Sequence, residues 1–256
     1  MTSTKLGWST NPASKVDLGI RCDLTSSRLP RSFYDRSTHQ VARDLLGKRL
    51  VRVVDTSFSD PPVSTHDLSA STSQQLHQRL SGFIVEVEAY AGSDDAASHA
   101  YRGRTERNAS MFGRPGHAYV YFIYGMHWMF NVVAHTRAPG AVLVRALVPD
   151  EGLEQMRRYR GGVTDDNLTS GPARLAQALA IDAALDGADL CTDSRIAIEA
   201  RPPVPDEWVA CGPRVGVSGD DLARTRPWRF WVTNLDVDQG GPPARDDEEV
   251  VNGSDA

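Results

Sequence analysis

Lysine is nearly absent from this sequence. Only Lys5, Lys15 and Lys48 occur among 28 Lys+Arg residues, so a mechanism that needs a lysine amine has almost nothing to choose from. Arginine, suited to bidentate phosphate contacts, is plentiful. Cysteine is scarce too. Cys22, Cys191 and Cys211 are far apart and odd in number, which fits a reducing compartment and is too few for a four-cysteine zinc or iron–sulfur site. No apolar run approaches the ~18 residues of a membrane helix. Residues 1–15 are polar and lack an apolar signal core, so neither a membrane span nor Sec-type export is expected. The GxxxxGK phosphate loop is missing, since Gly47-Lys48-Arg49 has neither its spacing nor its hydroxyl. HExxH, CxxC and GxSxG are missing as well, which sets aside zinc-dependent and serine-elbow chemistry.

What remains is an ordinary globular composition, 40% hydrophobic and 24% charged over 256 residues, enough chain to bury a real core. The net charge of −5 is unevenly spread. Residues 236–256 hold seven acids against Arg245, and the rest of the chain is net +1. Residues 56–78 add Asp60 and Asp67 with no Lys or Arg. The acidity therefore sits in segments without hydrophobic periodicity, and the body is mildly basic.

Three segments read as unfolded: a flexible arm over residues 1–28, a mobile Ser/Thr/Asp/Pro/Gln-rich loop over 56–78, and an acidic disordered tail over 236–256. Between them, residues 29–235 form one expected domain. Ser37 or Thr38 caps a helix through Val41, Leu45 and Leu46 that ends at Gly47. Strands are expected at 50–54, 82–90, 118–124, 128–134, 141–148 and 228–232. The runs 118–124 and 128–134 flank Gly125-Met126-His127 and read as a hairpin. Asp150 caps a helix containing Leu153 and Met156, and Ser170-Gly171-Pro172 opens another. Strands in antiparallel-looking pairs, with helices grouped before and after, predict an α+β fold.

Several residues stand out chemically, each with a bland reading beside the sharp one. On strict alternation Phe83, Val85, Val87 and Ala89 face one way, and Ile84, Glu86, Glu88 and Tyr90 the other. That second face is either solvated, or it sets a general base beside a stacking ring. From 100 to 115, Arg102, Arg104, Arg107 and Arg114 face a single acid, Glu106. This is either a solvated loop or a phosphate-gripping edge. The hairpin aromatics Tyr119, Tyr121 and Tyr124 either pack inward or insert into something at the turn. Asn131 is an amide in an apolar strand. Arg145 interrupts Val-Leu-Val-Arg-Ala-Leu-Val; it points to solvent from an edge strand, or it needs a buried anion, for which Glu88 is the natural candidate.

Taken together, these motifs resemble the alkyladenine (3-methyladenine) DNA glycosylase family. The resemblance rests on Phe83-Ile-Val-Glu-Val-Glu88-Ala-Tyr90, His99, Met111-Phe with Pro115-Gly116, Tyr119-Val-Tyr121-Phe-Ile-Tyr124-Gly125-Met126, Asn131, Val144-Arg145-Ala-Leu, Ser170-Gly171-Pro172, Gln177-Ala-Leu-Ala-Ile181 and Arg214-Val215-Gly216-Val217. It runs in order from about Leu29 to Val232.

The resemblance implies a mostly antiparallel, curved sheet with flanking helices and a protruding β-hairpin that enters the DNA minor groove. It implies a monomer acting on double-stranded DNA that contains damaged purines: 3-methyladenine, 7-methylguanine, hypoxanthine or ethenoadenine. The base is flipped out and its N-glycosidic bond hydrolysed to leave an abasic site, with no strand cleavage and no metal or organic cofactor. Glu88 matches the general base, with Arg145 and the carbonyl of Val215 holding the attacking water. Tyr90 matches the ring on one face of the flipped base, and His99 and Tyr121 the groups on the other. Asn131 matches the amide that disfavours guanine. Tyr124, with Met126 beside it, matches the intercalating wedge, and in the basic loop Arg102, Arg104 and Arg107 are the expected phosphate contacts. His127 departs from an aromatic common in the family. A cytoplasmic, nucleoid-associated enzyme is expected if the source is bacterial. Two other readings use the same residues: a non-catalytic lesion-binding protein on this scaffold, and a sugar glycosidase using Glu86 and Glu88.

Overall fold

The structure, a computed structural model, describes residues 27–55 and 77–234. In chain order its helices and strands are α1 (Arg31–Tyr34), α2 (Thr38–Leu45), β1 (Arg49–Asp55), β2 (His77–Ala91), β3 (Ala118–Ile123), β4 (His127–Val133), β5 (Gly140–Glu151), α3 (Leu153–Tyr159), α4 (Pro172–Ala178), β6 (Ile196–Glu199), β7 (Val209–Gly212), α5 (Asp221–Thr225) and β8 (Arg229–Val232). The class is α+β. One open antiparallel sheet runs β3-β4-β5-β2-β1-β6, with β8 added on β2 beyond the end of β1 and β7 on β8.

β2 is the spine. Its first half pairs with β1 from Arg49↔Phe83 to Asp55↔His77, its second half pairs with β8 from Glu86 to Glu88, and β5 lines its other edge from Ser81 to Ala91. A strand paired along both edges and covered on both faces has no solvated side, which explains why Ser81 to Glu88 are almost all buried.

The two faces do different work. Val120↔Phe130, Val132↔Val142, Val142↔Ala89 and Val144↔Val87 are cross-strand partners whose side chains enter the main core. Helix α2 packs there against β2 and β5, and α4 against β4 and β5. α2 is held at its start by Ser37, whose side chain accepts from the Gln40 N–H at 3.3 Å, and it turns Val41, Ala42 and Leu45 inward. α4 has Pro172 in its first turn, where a missing N–H costs nothing, and buries Leu175, Ala176 and Ala178. On the opposite face Tyr119, Val133, Ala141, Ala100 and Met111 form a second, smaller cluster.

Several sequence expectations are corrected here. Strict alternation along 83–90 fails, because the β2–β5 register shifts between Ile84 and Glu86 and again between Glu86 and Val87. Ile84 therefore joins Val85, Val87 and Ala89 in the main core, while Phe83 lies under the guanidinium groups of Arg49 and Arg201. Asp150 does not cap a helix. It lies in β5 bonded to Arg49, and α3 starts from Gly152 at φ 77°. β5 is an interior strand, so the reading of Arg145 as a solvated edge residue is wrong. The expected arm (1–28), loop (56–78) and tail (236–256) lie almost wholly outside the described residues. Where they overlap, Arg28 bridges to Glu199, and His77 and Gln78 pair with Asp55 and Val54 at the start of β2.

The core face should carry most of the stability. Phe130 is fully buried between the sheet and α4. Phe130→Ala is expected to lower the unfolding free energy by about 3–5 kcal/mol, read as a shift of the urea midpoint at unchanged slope. A loss below about 1 kcal/mol would mean that this face is not the main core.

Candidate active site

A single row crosses the smaller face of the sheet. Glu88 on β2 is opposite Leu143 on β5, Leu143 is opposite Asn131 on β4, and Asn131 is opposite Tyr119 on β3. The next row sets Tyr90 against Ala141 and Ala141 against Val133. Directly paired residues share a face, so β-pairing alone brings together a carboxylate, an amide and aromatic rings from four strands.

Glu88 has no solvent exposure. A buried carboxylate is tolerable only if its oxygens are satisfied, and three donors do this. Val215 N–H donates to Oε1 at 2.7 Å, Arg145 Nη1 lies 3.0 Å from the same oxygen, and Tyr90 O–H donates to Oε2 at 2.7 Å. Arg145 also donates from Nε to Glu86 at 2.8 Å, and Arg229 reaches the same Glu86 oxygen at 3.2 Å. Burial works against the Arg145 charge, but Glu88 and Glu86 outweigh it and raise its pKa. Glu86 and Glu88 thus share one arginine on one strand face instead of opposing each other across a gap.

A cavity of about 180 Å³ opens beside this cluster. Tyr90, His99, Tyr121, Asn131 and Tyr124, all singled out from sequence, line it together with Met111, Tyr119 and the stretch Gly216-Val217-Ser218. Glu88 and Arg145 are not on the lining; Glu88 sits one layer behind the Tyr90 hydroxyl. The His99 and Tyr121 rings meet edge to face at 4.6 Å, and His99 Nδ1 lies 2.8 Å from the Tyr119 hydroxyl. Burial, then the nearby Arg107, lowers the His99 pKa, which favours a neutral imidazole. Burial and then the Glu88 charge push Tyr121 up to about 12 and Tyr90 further, so both phenols keep their protons. Asn131 donates from Nδ2 to the Tyr119 carbonyl at 3.1 Å, which fixes its amide.

The hairpin tip stands in water. Tyr124 is 78% exposed and Met126 67%. The turn is not Gly125-Met126-His127 as expected. Met126 N–H donates to the Ile123 carbonyl at 3.2 Å, and the central residues Tyr124 and Gly125 have φ of 53° and 67°. Positive φ at both central positions suits the right-handed twist of a hairpin. Gly125 adopts it freely, whereas an aromatic residue there is strained by about 1 kcal/mol or more. His127 opens β4 instead.

Arg102 and Arg104 are exposed on the loop after His99, with no side-chain hydrogen bond or ion pair among the described residues. Arg107 is tied to the hairpin through the Phe122 carbonyl at 2.8 Å. Asn108, buried, donates to the carbonyls of His99 and Gly103 and so holds this loop in place. Tyr119 was not given a site role by sequence reading, although its alternation with Tyr121 already put both rings on one face. Asp95, bonded to Arg214 beneath Tyr90, gave no signal at all. No group of three or more His, Cys, Asp or Glu among the described residues is arranged to hold a metal ion.

A family model described as methylpurine-DNA glycosylase matches residues 67–236. A protein of Methanocella arvoryzae is 44% identical over 210 residues, covering 80% of this chain and 92% of its own length. Proteins of Streptomyces avermitilis and Carboxydothermus hydrogenoformans are also 44% identical over 210 residues, covering 88% and 95% of their lengths. All three carry the name "Putative 3-methyladenine DNA glycosylase".

Proposed function

The chain belongs to the methylpurine-DNA glycosylase family, and from that footing we propose that it excises damaged purines from duplex DNA with Glu88 as the base that activates water. The observation that carries this reading is the buried Glu88 carboxylate with Arg145, Val215 and Tyr90 on it, directly behind an aromatic cavity.

The purine must leave the duplex to be reached, at a cost of a few kcal/mol that is least for a damaged or mispaired base. In the cavity it lies between Tyr90 on one side and His99 with Tyr121 on the other. Base–aromatic stacking of ~1–3 kcal/mol offsets much of the unstacking. Tyr124 and Met126, exposed at the strained hairpin tip, fill the gap left in the minor groove. Arg102, Arg104 and Arg107 hold phosphates. Asn131, its amide fixed by the Tyr119 carbonyl, stands where the exocyclic amine of guanine would clash.

Glu88 takes a proton from a water held by Arg145 and the Val215 carbonyl. The water oxygen bonds to C1′, the glycosidic bond breaks, and its electron pair leaves with the purine. Three donors leave Oε2, which accepts only from the Tyr90 hydroxyl, with a free lone pair for that water. Tyr90 is the donor whose ring also lines the cavity, so it is the one that a bound base contacts. An alkylated purine such as 3-methyladenine or 7-methylguanine is already cationic and departs readily. Hypoxanthine and ethenoadenine need a proton on a ring nitrogen. The product is an abasic site, and the enzyme works as a monomer without a cofactor. Strand cleavage needs an amine. Lys48 is buried, with Nζ donating to the Arg201 and Pro202 carbonyls, and is absent from the cavity lining. The shared Arg145 between Glu86 and Glu88 favours this single-carboxylate chemistry over a two-carboxylate sugar hydrolase.

Glu88→Gln keeps the shape of the side chain but cannot accept the water's proton. It should bind a hypoxanthine duplex as the wild type does and lose excision by a factor on the order of 10²–10⁴ in single turnover. Near-normal excision by this variant would remove Glu88 from the base role.

Tyr124→Ala should speed dissociation from a lesion duplex while leaving undamaged-duplex affinity unchanged, because a wedge acts only after a nucleotide has left the stack. Equal weakening on both duplexes would make Tyr124 a general contact.

A further inference from the structure

Behind Tyr90, on the side away from the sheet row, lies an ion pair that the chemistry described so far does not use. Arg214 and Asp95 have fully buried side chains. The contact is bidentate, Nη1 to Oδ2 at 2.6 Å and Nη2 to Oδ1 at 2.7 Å. Arg214 also donates to the Ala89 carbonyl on β2 and to the Ala223 carbonyl on α5, each at 2.9 Å. Asp95 in turn accepts from the backbone N–H groups of Ala91 and Ala97 at 3.3 and 3.1 Å. The Arg214 guanidinium lies 4.6 Å from the centre of the Tyr90 ring and 5.0 Å from that of Trp228.

Three separate segments wall this side of the cavity: the end of β2 with Tyr90, the loop with Ala97 and His99, and the Gly216–Val217–Ser218 stretch. The ion pair bonds to Ala89, Ala91 and Ala97 in the first two, and Arg214 itself lies two residues before the third. The residue after Arg214 is Val215, whose N–H is one of the three donors on Glu88. Resting on the glycosylase reading above, we propose that Arg214, held by Asp95, is a positioning residue for base excision, fixing the Tyr90 ring from behind and the Val215 N–H on Glu88.

Stability alone does not account for the pair. A fully buried ion pair is on balance no more stabilising than apolar side chains of similar volume. Its distinctive contribution is direction: a planar fork with several donors in fixed geometry, against a ring face that it also attracts. A displacement of about 1 Å in a positioning group is enough to slow a reaction about 100-fold. Lysine keeps the charge but loses the fork and the flat face, so it does not substitute.

The test uses the full chain and two variants. Arg214→Lys keeps the cation; Asp95→Leu/Arg214→Met removes both charges and leaves none unpaired. Each is assayed for cooperative thermal unfolding, for affinity to a hypoxanthine duplex, and for single-turnover excision well below its unfolding temperature. The expected result is wild-type lesion affinity with excision slowed about 10- to 100-fold in both variants. Wild-type excision rates in a folded variant overturn the positioning role, as does a rate loss that merely tracks the unfolded fraction. Failure of both variants to fold overturns it as well, by making the pair structural. Those outcomes leave wild-type excision, and the proposed function, standing. No excision by the wild type sinks the glycosylase reading and this inference with it.

Discussion

A fully buried carboxylate dictates the architecture around it. Glu88 is such a group, and the sheet satisfies it from three directions: Arg145 from the adjacent interior strand, Val215 N–H from a loop, and the Tyr90 hydroxyl two residues along its own strand. Each donor requires something of the fold. Arg145 has to sit in an interior strand, so it needs Glu86 as a second anion, and Glu86 is shared with Arg229. The Val215 loop has to be pinned, and Arg214 next to it is bonded on all sides but one, its Nε alone lacking a partner. The small-face cluster and the cavity follow from the same row of cross-strand partners that carries Glu88 to Asn131 and Tyr119.

The stability of the sheet and its chemistry are separated by face. One face is an ordinary apolar core under α2 and α4. The other carries the polar row and the cavity, and continues into a hairpin whose tip leaves Tyr124 and Met126 in water. Large exposed apolar side chains at a strained turn are poor design for an isolated domain. In the function proposed above, DNA is the molecule that would bury them.

Much of this was legible in the sequence, and the reasons differ by residue. Arg145 was anomalous in an apolar run, and an interior charge demands a partner, so its pairing with Glu88 could be anticipated. Alternation along 118–124 places Tyr119 and Tyr121 on one face, and both line the cavity. Six of the eight strands and the α+β class followed from the sequence pattern, whereas β6 and β7, four residues each, did not. What failed was non-local or irregular. The β2–β5 register shift at Glu86 depends on a partner strand some 60 residues away in sequence, so strict alternation misplaced Ile84 and Phe83. Asp150 had the right residue type for a cap, but its arginine partner drew it into β5. The turn was displaced because Tyr124 takes a φ that aromatic residues rarely adopt. Asp95 lay in a Ser-Asp-Asp stretch with no pattern to mark its burial against Arg214.

In the function proposed above, this carboxylate-and-aromatic site removes a damaged purine by hydrolysis. The most direct measurement is incubation of the purified wild-type protein with matched duplexes carrying hypoxanthine, 7-methylguanine or no lesion, with free base and abasic sites quantified before and after alkali. Base release is expected only from the lesion duplexes, with strands that break on alkali treatment and not before. Release of no base from any duplex, or strand breaks that precede alkali, would contradict it.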